Sequence, residues 1–214
     1  MVQGKEFAGV KVPDSELCNA VTDYARHASE DFLFNHVMRS WAFAEIAGQE
    51  QGAVYDRELL YIAAVLHDLG LTDLAPVETR FEVEGADMAR AFLSEKGMSD
   101  RKIDIVWDAI ALHTSMAIPA AKGPEAGLCQ LGTAIDVGYA PVEIIQEKLL
   151  SEILESLPRL NFKTAMVNAL LKIYERNQVA AQTSHVVAAV CEKHVAGFHQ
   201  HHFCTVLENA GFSE

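Results

Sequence analysis

The chain has 214 residues, of which 50% are hydrophobic, and this length and composition predict one compact domain with a sizeable core. Its formal net charge of −13 argues against nucleic acid and anionic membrane surfaces as main partners. We expect a cytoplasmic protein with reduced thiols, because no signal segment opens the chain and its four cysteines are scattered.

Apolar residues recur at helical spacing along nearly the whole chain, and no stretch alternates apolar and polar residues as a strand does. About nine helices are predicted, and they begin near positions 14, 32, 56, 85, 99, 124, 141, 161 and 184. Asp14 or Ser15 caps the first helix and Asp56 caps the third, which we expect to end at Gly70. The pattern therefore predicts an all-α bundle.

The third predicted helix closes with the sequence AVLHDLG, which places His67 and Asp68 at its end. A buried carboxylate without a partner is costly, and a divalent cation near the negative end of a helix dipole would offset that cost. The alternative is a solvated helix end, with Asp68 in water and His67 over the last carbonyls. The pair alone favours neither interpretation.

Three more ligand-type residues lie on predicted inward faces: His36, His113 and Asp136. A lone inward histidine is more often a hydrogen-bonded core residue than a ligand, but a carboxylate within the apolar run AIDVG needs a partner. With His67 and Asp68, these residues predict a pocket between helices, where bundles usually build metal sites. Two imidazoles and two carboxylates suit Zn, Fe, Mn, Ni or Co.

The order of these residues resembles the HD-domain superfamily of metal-dependent hydrolases. Five segments match it in order, namely residues 34–39 (FNHVMR), 64–70 (AVLHDLG), 80–86 (RFEVEGA), 110–114 (IALHT) and 135–138 (IDVG). The resemblance covers about residues 30–140 and implies one helical-bundle domain over 1–214, which helices in 141–214 complete. It further implies a metal bound by four residues: His36, His67, Asp68 and Asp136.

Within that superfamily the chain is most similar to the cyanamide-hydratase-like branch, on its Asn-His-x-x-Arg and His-Asp-Leu-Gly segments. HD enzymes that cleave nucleoside monophosphates or alarmone nucleotides resemble each other in having a glutamate three positions after the metal-binding aspartate. Leu71 occupies that position here, which argues against those nucleotide activities. The resemblance thus favours hydration of a small nitrile-like molecule, with cyanamide to urea as the first reaction to test.

The expected cofactor is one divalent transition metal, with Zn favoured over Fe, Mn, Ni or Co, and a second metal is left open. A metal with open positions lowers the pKa of bound water from 15.7 toward about 7, and the hydroxide then attacks the substrate. We expect His113 to donate a proton to the substrate or to orient it. The alternatives are a ligand to a second metal or a hydrogen-bonded core histidine.

Arg39, Glu82 and Thr114 are expected to bind substrate or to support the site. Arg39, one helical turn after His36, either holds an anionic group at the pocket rim or pairs with an acid. Glu82 either accepts hydrogen bonds from Arg39 or His113, or only caps the fourth helix.

Two other function classes remain open. A metal-dependent phosphohydrolase acting on a small phosphate ester or nucleotide would need basic groups at the pocket, and Arg39 and Arg80 are the evident candidates. A non-catalytic, metal-stabilised binding module would enclose its metal fully. We expect a small-molecule substrate and no nucleic-acid or membrane partner, and homo-oligomerisation is left open. Four C-terminal histidines match no coordination pattern and are expected to be adventitious or structural: His194, His199, His201 and His202.

Overall fold

The computed structural model describes residues 6–7 and 9–211, and this part of the chain folds into an almost entirely helical bundle. A two-residue antiparallel hairpin, β1 (Glu6–Phe7) with β2 (Val10–Lys11), precedes the helices. The described residues form twelve α-helices: α1 (Glu16–Ala28), α2 (Asp31–Glu50), α3 (Arg57–Leu66), α4 (Phe81–Glu95), α5 (Asp100–Leu112), α6 (Ile118–Lys122), α7 (Pro124–Val137), α8 (Glu147–Ser156), α9 (Phe162–Arg176), α10 (Gln178–Thr183), α11 (His185–His194) and α12 (Phe203–Glu208). Short 3-10 turns lie at Leu69–Leu71 and Val142–Ile144. The predicted all-α class is confirmed.

Local chemistry sets several helix starts as predicted. The Ser15 hydroxyl accepts a hydrogen bond from the backbone N–H of Cys18, and the Asp56 carboxylate accepts from those of Glu58 and Leu59. These bonds satisfy N–H groups that have no partner within the helix, so each side chain fixes where its helix begins.

Other boundaries differ from the sequence prediction. The described residues contain twelve helices instead of about nine, because α6, α10 and α12 have only five or six residues and show no periodicity. Helix α3 ends at Leu66, with His67 as its C-cap, so the predicted end at Gly70 was wrong. Helix α4 begins at Phe81 instead of near Gly85, and no side chain caps this start to mark it in the sequence.

Helix α2 is the centre of the bundle, and each residue from Phe32 to Gly48 is buried. It packs most extensively against α7, where Gly132 permits an unusually close approach. A Cβ atom on Gly132 would lie 2.1 Å from the Ser40 carbonyl oxygen, so a larger residue would push the two helices apart. This contact sets the position of the α2 and α7 side chains that face the site.

The core has two parts. The first cluster of apolar side chains joins α1 to α5 with α7 and α8, and the second joins α9 to α11 with the start of α2 and with residues 71–81. The candidate site lies where these two clusters meet. None of the helices in the described part of the chain has the length and hydropathy needed to cross a membrane.

Candidate metal centre

The ends of two helices bring three of the predicted site residues to the N-terminal half of α2, where His36 lies. His67 and His113 are the C-caps of α3 and α5, Asp68 follows His67, and His36 faces them from α2. All four side chains are buried. The turn after Asp68 packs directly on the start of α4, because a Cβ atom on Gly70 would lie 1.9 Å from the Phe81 carbonyl oxygen.

His36, His67 and Asp68 point their ligand-type atoms at one another. His36 Nε2 lies 3.2 Å from His67 Nε2 and 3.4 Å from Asp68 Oδ2, and His67 Nε2 lies 3.3 Å from the same oxygen. All three atoms fall within 4.8 Å of one another, and among the described residues this is the group with the composition and spacing of a metal site.

The hydrogen bonds at Nδ1 of His67 and His36 show that Nε2 of each ring carries the lone pair. His67 Nδ1 lies 2.8 Å from the Ala64 carbonyl oxygen, which only accepts, so Nδ1 carries the proton and Nε2 of the neutral ring is free to bind a metal. His36 Nδ1 lies 2.7 Å from Asp136 Oδ2 and is held in the same way. Two facing lone pairs and a carboxylate repel one another unless a cation lies between them. The donor set therefore fits a divalent transition metal.

The electrostatics of the cluster also favour positive charge. Burial alone would lower the pKa of His36, but its hydrogen bonds with Asp136 and Asp68 raise it above the ordinary value. Burial alone would raise the pKa of Asp68, but the neighbouring imidazoles of His67 and His36 hold it well below its usual range. Asp68 is thus ionised in the folded protein, and the site attracts a cation.

His113 lies beside the cluster, with Nε2 3.6 Å from Asp68 Oδ1. Its Nδ1 donates a hydrogen bond of 2.7 Å to the Ile110 carbonyl oxygen, so Nε2 carries the lone pair. Burial and then the adjacent His67 lower the pKa of His113 to about 4, and the ring is neutral at neutral pH. In this state His113 Nε2 can accept a proton and then donate it.

Asp136 lies behind His36, outside the three-residue ligand cluster. Its Oδ2 contacts His36 Nδ1 at 2.7 Å and Arg39 Nη2 at 2.8 Å, while Oδ1 accepts from Arg39 Nε at 2.7 Å and Arg159 Nη1 at 2.9 Å. Burial alone would raise its pKa, but the Arg39 and His36 hydrogen bonds hold that pKa well below the usual range. Asp136 is thus in position to orient His36 through Nδ1, and its role as a direct metal ligand, which the resemblance implies, stays a prediction.

Arg39 is fully buried and pairs with Asp136, so the expected place at the pocket rim was wrong and the pairing alternative holds. Its remaining N–H groups donate to the carbonyl oxygens of Leu157 and Pro158. The second arginine on Asp136, Arg159, was not foreseen, since it lies between helices and no periodic pattern points to it.

Glu82 joins three parts of the molecule. Its Oε1 accepts hydrogen bonds from Thr114 Oγ1 at 2.8 Å, Ser184 Oγ at 3.0 Å and Arg80 Nη2 at 3.0 Å. In the described part of the chain neither Arg39 nor His113 donates to Glu82, so that expectation was wrong. Helix α4 begins after Arg80, and Glu82 lies in its first turn without capping it. Ser184, another residue missed from the sequence, ties the N-cap of α11 to this carboxylate.

A cavity of about 370 Å³ reaches the cluster at His36, Asp68 and His113. The described residues that line it include no lysine or arginine, since Arg39 and Arg80 bind Asp136 and Glu82 instead. Most of the wall is apolar and comes from six parts of the chain: Leu71, Phe81, Met116, Ala134, Val137, Met166, Leu170 and Val186. The other polar lining residues are Thr114, Gln130, Thr133, Tyr139 and His185.

The C-terminal histidines lie away from this centre. His199 and His201 line a separate cavity of about 440 Å³, and His202 Nε2 lies 3.4 Å from the Glu192 carboxylate. Among the described residues none of them belongs to a metal-type cluster.

Comparisons with known proteins agree with this geometry. The model of the HD domain family matches residues 33–137, which hold His36, His67, Asp68, His113 and Asp136. Two proteins of Saccharomyces cerevisiae, cyanamide hydratase DDI2 and cyanamide hydratase DDI3, are each 26% identical to the chain over 160 residues, which covers 72% of this chain and 71% of theirs. Residues 33–137 thus form an HD domain, and the chain is similar to the cyanamide-hydratase branch of that superfamily.

Proposed function

We propose that the chain is a metal-dependent enzyme that adds water to a small nitrile-like molecule, with cyanamide to urea as the reference reaction. The observation that carries this proposal is the convergence of His36 Nε2, His67 Nε2 and an Asp68 oxygen at the end of a cavity whose described lining has no lysine or arginine. The similarity to the two yeast cyanamide hydratases supports the same chemistry.

In this proposal His36, His67 and Asp68 hold one divalent transition metal, most favourably zinc, with Fe, Mn, Ni and Co as alternatives. Two imidazoles and one carboxylate are a common ligand set of catalytic zinc, which keeps a further position open. When bound, such a cation lowers the pKa of coordinated water toward about 7 and so supplies a nucleophile at neutral pH. Asp136 accepts a hydrogen bond from His36 Nδ1–H and so fixes that ring, and Arg39 and Arg159 fix Asp136 in turn.

His113 moves the proton that hydration requires. Its unprotonated Nε2 takes a proton from the attacking water as the new oxygen–carbon bond forms. As this bond forms, one electron pair of the carbon–nitrogen triple bond moves to the nitrogen. His113 then donates the proton to that nitrogen. The product is an isourea, which becomes urea when one proton moves from oxygen to nitrogen. Positioned acid–base groups typically contribute about 10²- to 10⁴-fold in rate.

The surroundings of the cluster favour a neutral substrate over a phosphate ester. A phosphate needs charge neutralisation beyond one metal in its transition state, and the two arginines that we considered for this task are paired with carboxylates. Leu71 lines the cavity. It occupies the position at which the nucleotide-cleaving HD enzymes share a glutamate. The cavity also reaches the cluster, which favours catalysis over a fully enclosed, purely stabilising metal.

The test is to strip the protein of metal, reload it separately with Zn²⁺, Fe²⁺, Mn²⁺, Ni²⁺ or Co²⁺, and measure urea formed from cyanamide. A panel of phosphomonoesters and nucleotides is assayed in parallel for released phosphate. We expect urea with at least one metal and no phosphate release. Phosphate release without urea formation would replace the proposal with a phosphohydrolase.

We also infer that residues 141–214 complete a single domain, because α9 to α11 share a hydrophobic cluster with the start of α2 and with residues 71–81. A cytoplasmic location and the lack of nucleic-acid partners stay predictions, and homo-oligomerisation stays an open alternative.

A further inference from the structure

We propose that the preferred substrate is larger than cyanamide, namely a neutral molecule with a nitrile-type head and an apolar body of about phenyl size. The head lies at the metal cluster, and the body lies against Leu71, Phe81, Met166 and Leu170. This inference rests on the proposed function for the identity of the head, whereas the apolar body is deduced from the cavity alone.

The volume of the cavity is the first reason. A water molecule has about 30 Å³ of liquid volume, so cyanamide, with three non-hydrogen atoms, would fill roughly a quarter of the space. The cavity of about 370 Å³ suits a ligand several times that size. A substrate as small as cyanamide would leave much of the apolar wall in contact with water.

The chemistry of the wall is the second reason. Leu71 and Phe81 form one side, and Met166 and Leu170 on α9 form another, without charged groups among them. Water in such a space finds few hydrogen-bond partners, so an apolar group displaces it favourably. Because no lysine or arginine of the described chain lines the cavity, an anionic body would have no partner there. The body is therefore apolar and uncharged.

Thr133 supplies a contact for the polar head. Its hydroxyl is buried, has no hydrogen-bond partner within the described residues, and belongs to a residue that is 7% exposed and lines the cavity. An unpartnered buried hydroxyl is costly, and rotation of the Thr133 side chain toward the cavity would let a substrate hydrogen-bond to it and recover that cost. Thr133 lies one helical turn before Asp136 on α7, on the part of the wall that comes from the first hydrophobic cluster.

Binding of reaction products tests whether the cavity accommodates an apolar body, and it does not require turnover. Urea and phenylurea are titrated into zinc-loaded protein by isothermal titration calorimetry. We expect phenylurea to bind at least about tenfold more tightly than urea. Equal affinities, or tighter binding of urea, would overturn the inference.

Two substitutions on α9 locate the body. Leu170→Trp fills the cavity from its buried side, and we expect it to weaken phenylurea binding at least about tenfold more than it weakens urea binding. The matched control, Glu175→Trp, adds the same ring to an exposed position of the same helix and should bind both ligands as the wild type does. If Leu170→Trp does not fold, as judged by circular dichroism, Met166→Trp replaces it at a partly exposed position. Equal effects of the cavity-filling variant on both ligands would contradict the placement of the body.

Kinetics separate this inference from the proposed function. We expect kcat/KM for phenylcyanamide to exceed that for cyanamide. Turnover of cyanamide with poorer turnover of phenylcyanamide would overturn the larger substrate while leaving the hydratase proposal intact. If neither nitrile reacts, the proposed reaction fails, and the calorimetric comparison still decides whether the cavity takes an apolar body.

Discussion

The two sides of the cavity are built in different ways. On the cluster side, His36, His67 and His113 each have their Nδ1 fixed by a hydrogen bond, and the side chains are almost completely buried. On the other part of the wall, which we call the C-terminal side, α9 and α11 contribute Met166 and Val186, which are apolar and only partly buried. The cluster side is therefore preorganised for chemistry, whereas the C-terminal side is suited to select the substrate by shape and apolar contact.

Several polar contacts join the C-terminal helices and the segment before α9 to the rest of the bundle, and two of them reach carboxylates near the cluster. The Ser184 hydroxyl donates to Glu82, and Arg159 donates to Asp136. The Phe162 ring at the start of α9 lies 4.9 Å from the His36 ring, measured between centroids. Since the ligand-type atoms lie on α2 and at the end of α3, whereas α9 and α11 contribute apolar lining, substitutions in the first part should change metal binding and those in the second should change substrate preference.

The largest effect is expected for Asp68→Ala, which removes the carboxylate from the cluster. The remaining imidazoles hold a divalent cation less well, so metal content and urea formation should both fall to less than about a hundredth of the wild-type values. Elemental analysis after dialysis and the urea assay check this result. Leu170→Trp serves as the comparison from the C-terminal side and should retain its metal. Full metal content in Asp68→Ala would show that the cluster does not bind the cation.

Asp136→Asn should have the next largest effect. Loss of the carboxylate behind His36 should weaken metal affinity about 10- to 100-fold, as is typical for groups that orient a ligand. It also leaves the buried Arg39 without its counter-charge, and breaking such a pair costs about 3–5 kcal/mol of stability.

Competition with a chelator measures the affinity of Asp136→Asn, and thermal unfolding measures its stability. Saturating zinc should restore turnover, because the three direct ligands remain. A variant that binds no zinc at any concentration would instead make Asp136 a direct ligand, as the sequence alone suggested.

The ligand cluster and Asp136 differ in how much of their arrangement can be predicted from the sequence. The positions of His36, His67 and Asp68 follow from local helix geometry, because one residue lies on the inward face of a long helix and the other two lie at a helix end. Their convergence could therefore be predicted from spacing and residue type. The contacts of Asp136 with Arg39 and Arg159 could not be predicted, because its residue type suits both metal binding and arginine pairing and the two arginines are distant from it in sequence.

The contacts between the two sides could not be predicted either, because they join residues that are distant in sequence or lie outside helices. Ser184 and Glu82 are separated by 102 residues, and their meeting depends on how α11 packs against α4. Arg159 lies in the segment between α8 and α9, where no apolar periodicity indicates which way a side chain points. Such contacts can be identified when the packing of the whole bundle is known.

His113→Ala should separate chemistry from metal binding on the cluster side. We expect the variant to keep its metal and to lose at least about tenfold in kcat, since positioned acid–base groups commonly contribute 10²- to 10⁴-fold. His202→Ala removes an exposed histidine far from the cavity and provides the matched control. Metal content and kcat are measured on both proteins. A loss of metal together with rate in His113→Ala would identify His113 as a further ligand.

The smallest effect is expected for Ser184→Ala, which removes one contact between the two sides. Glu82 keeps its hydrogen bonds from Thr114 and Arg80, so the cost in unfolding free energy should be about 0.5–1.5 kcal/mol, that of a typical hydrogen bond. Helix α11 also carries Val186 of the cavity wall, and a looser anchor should raise KM about two- to fivefold with little change in kcat or metal content.

The control for this change is Thr183→Ala. The Thr183 hydroxyl donates to the Ala180 carbonyl oxygen within α10 and makes no contact with Glu82, so its removal should leave KM at the wild-type value. Urea-formation kinetics and thermal unfolding of both variants give the comparison. If Ser184→Ala lowers kcat while KM stays constant, the hydrogen bond acts on the reacting groups through Glu82 and Thr114, and the division of the cavity into a chemical side and a selective side fails at this point.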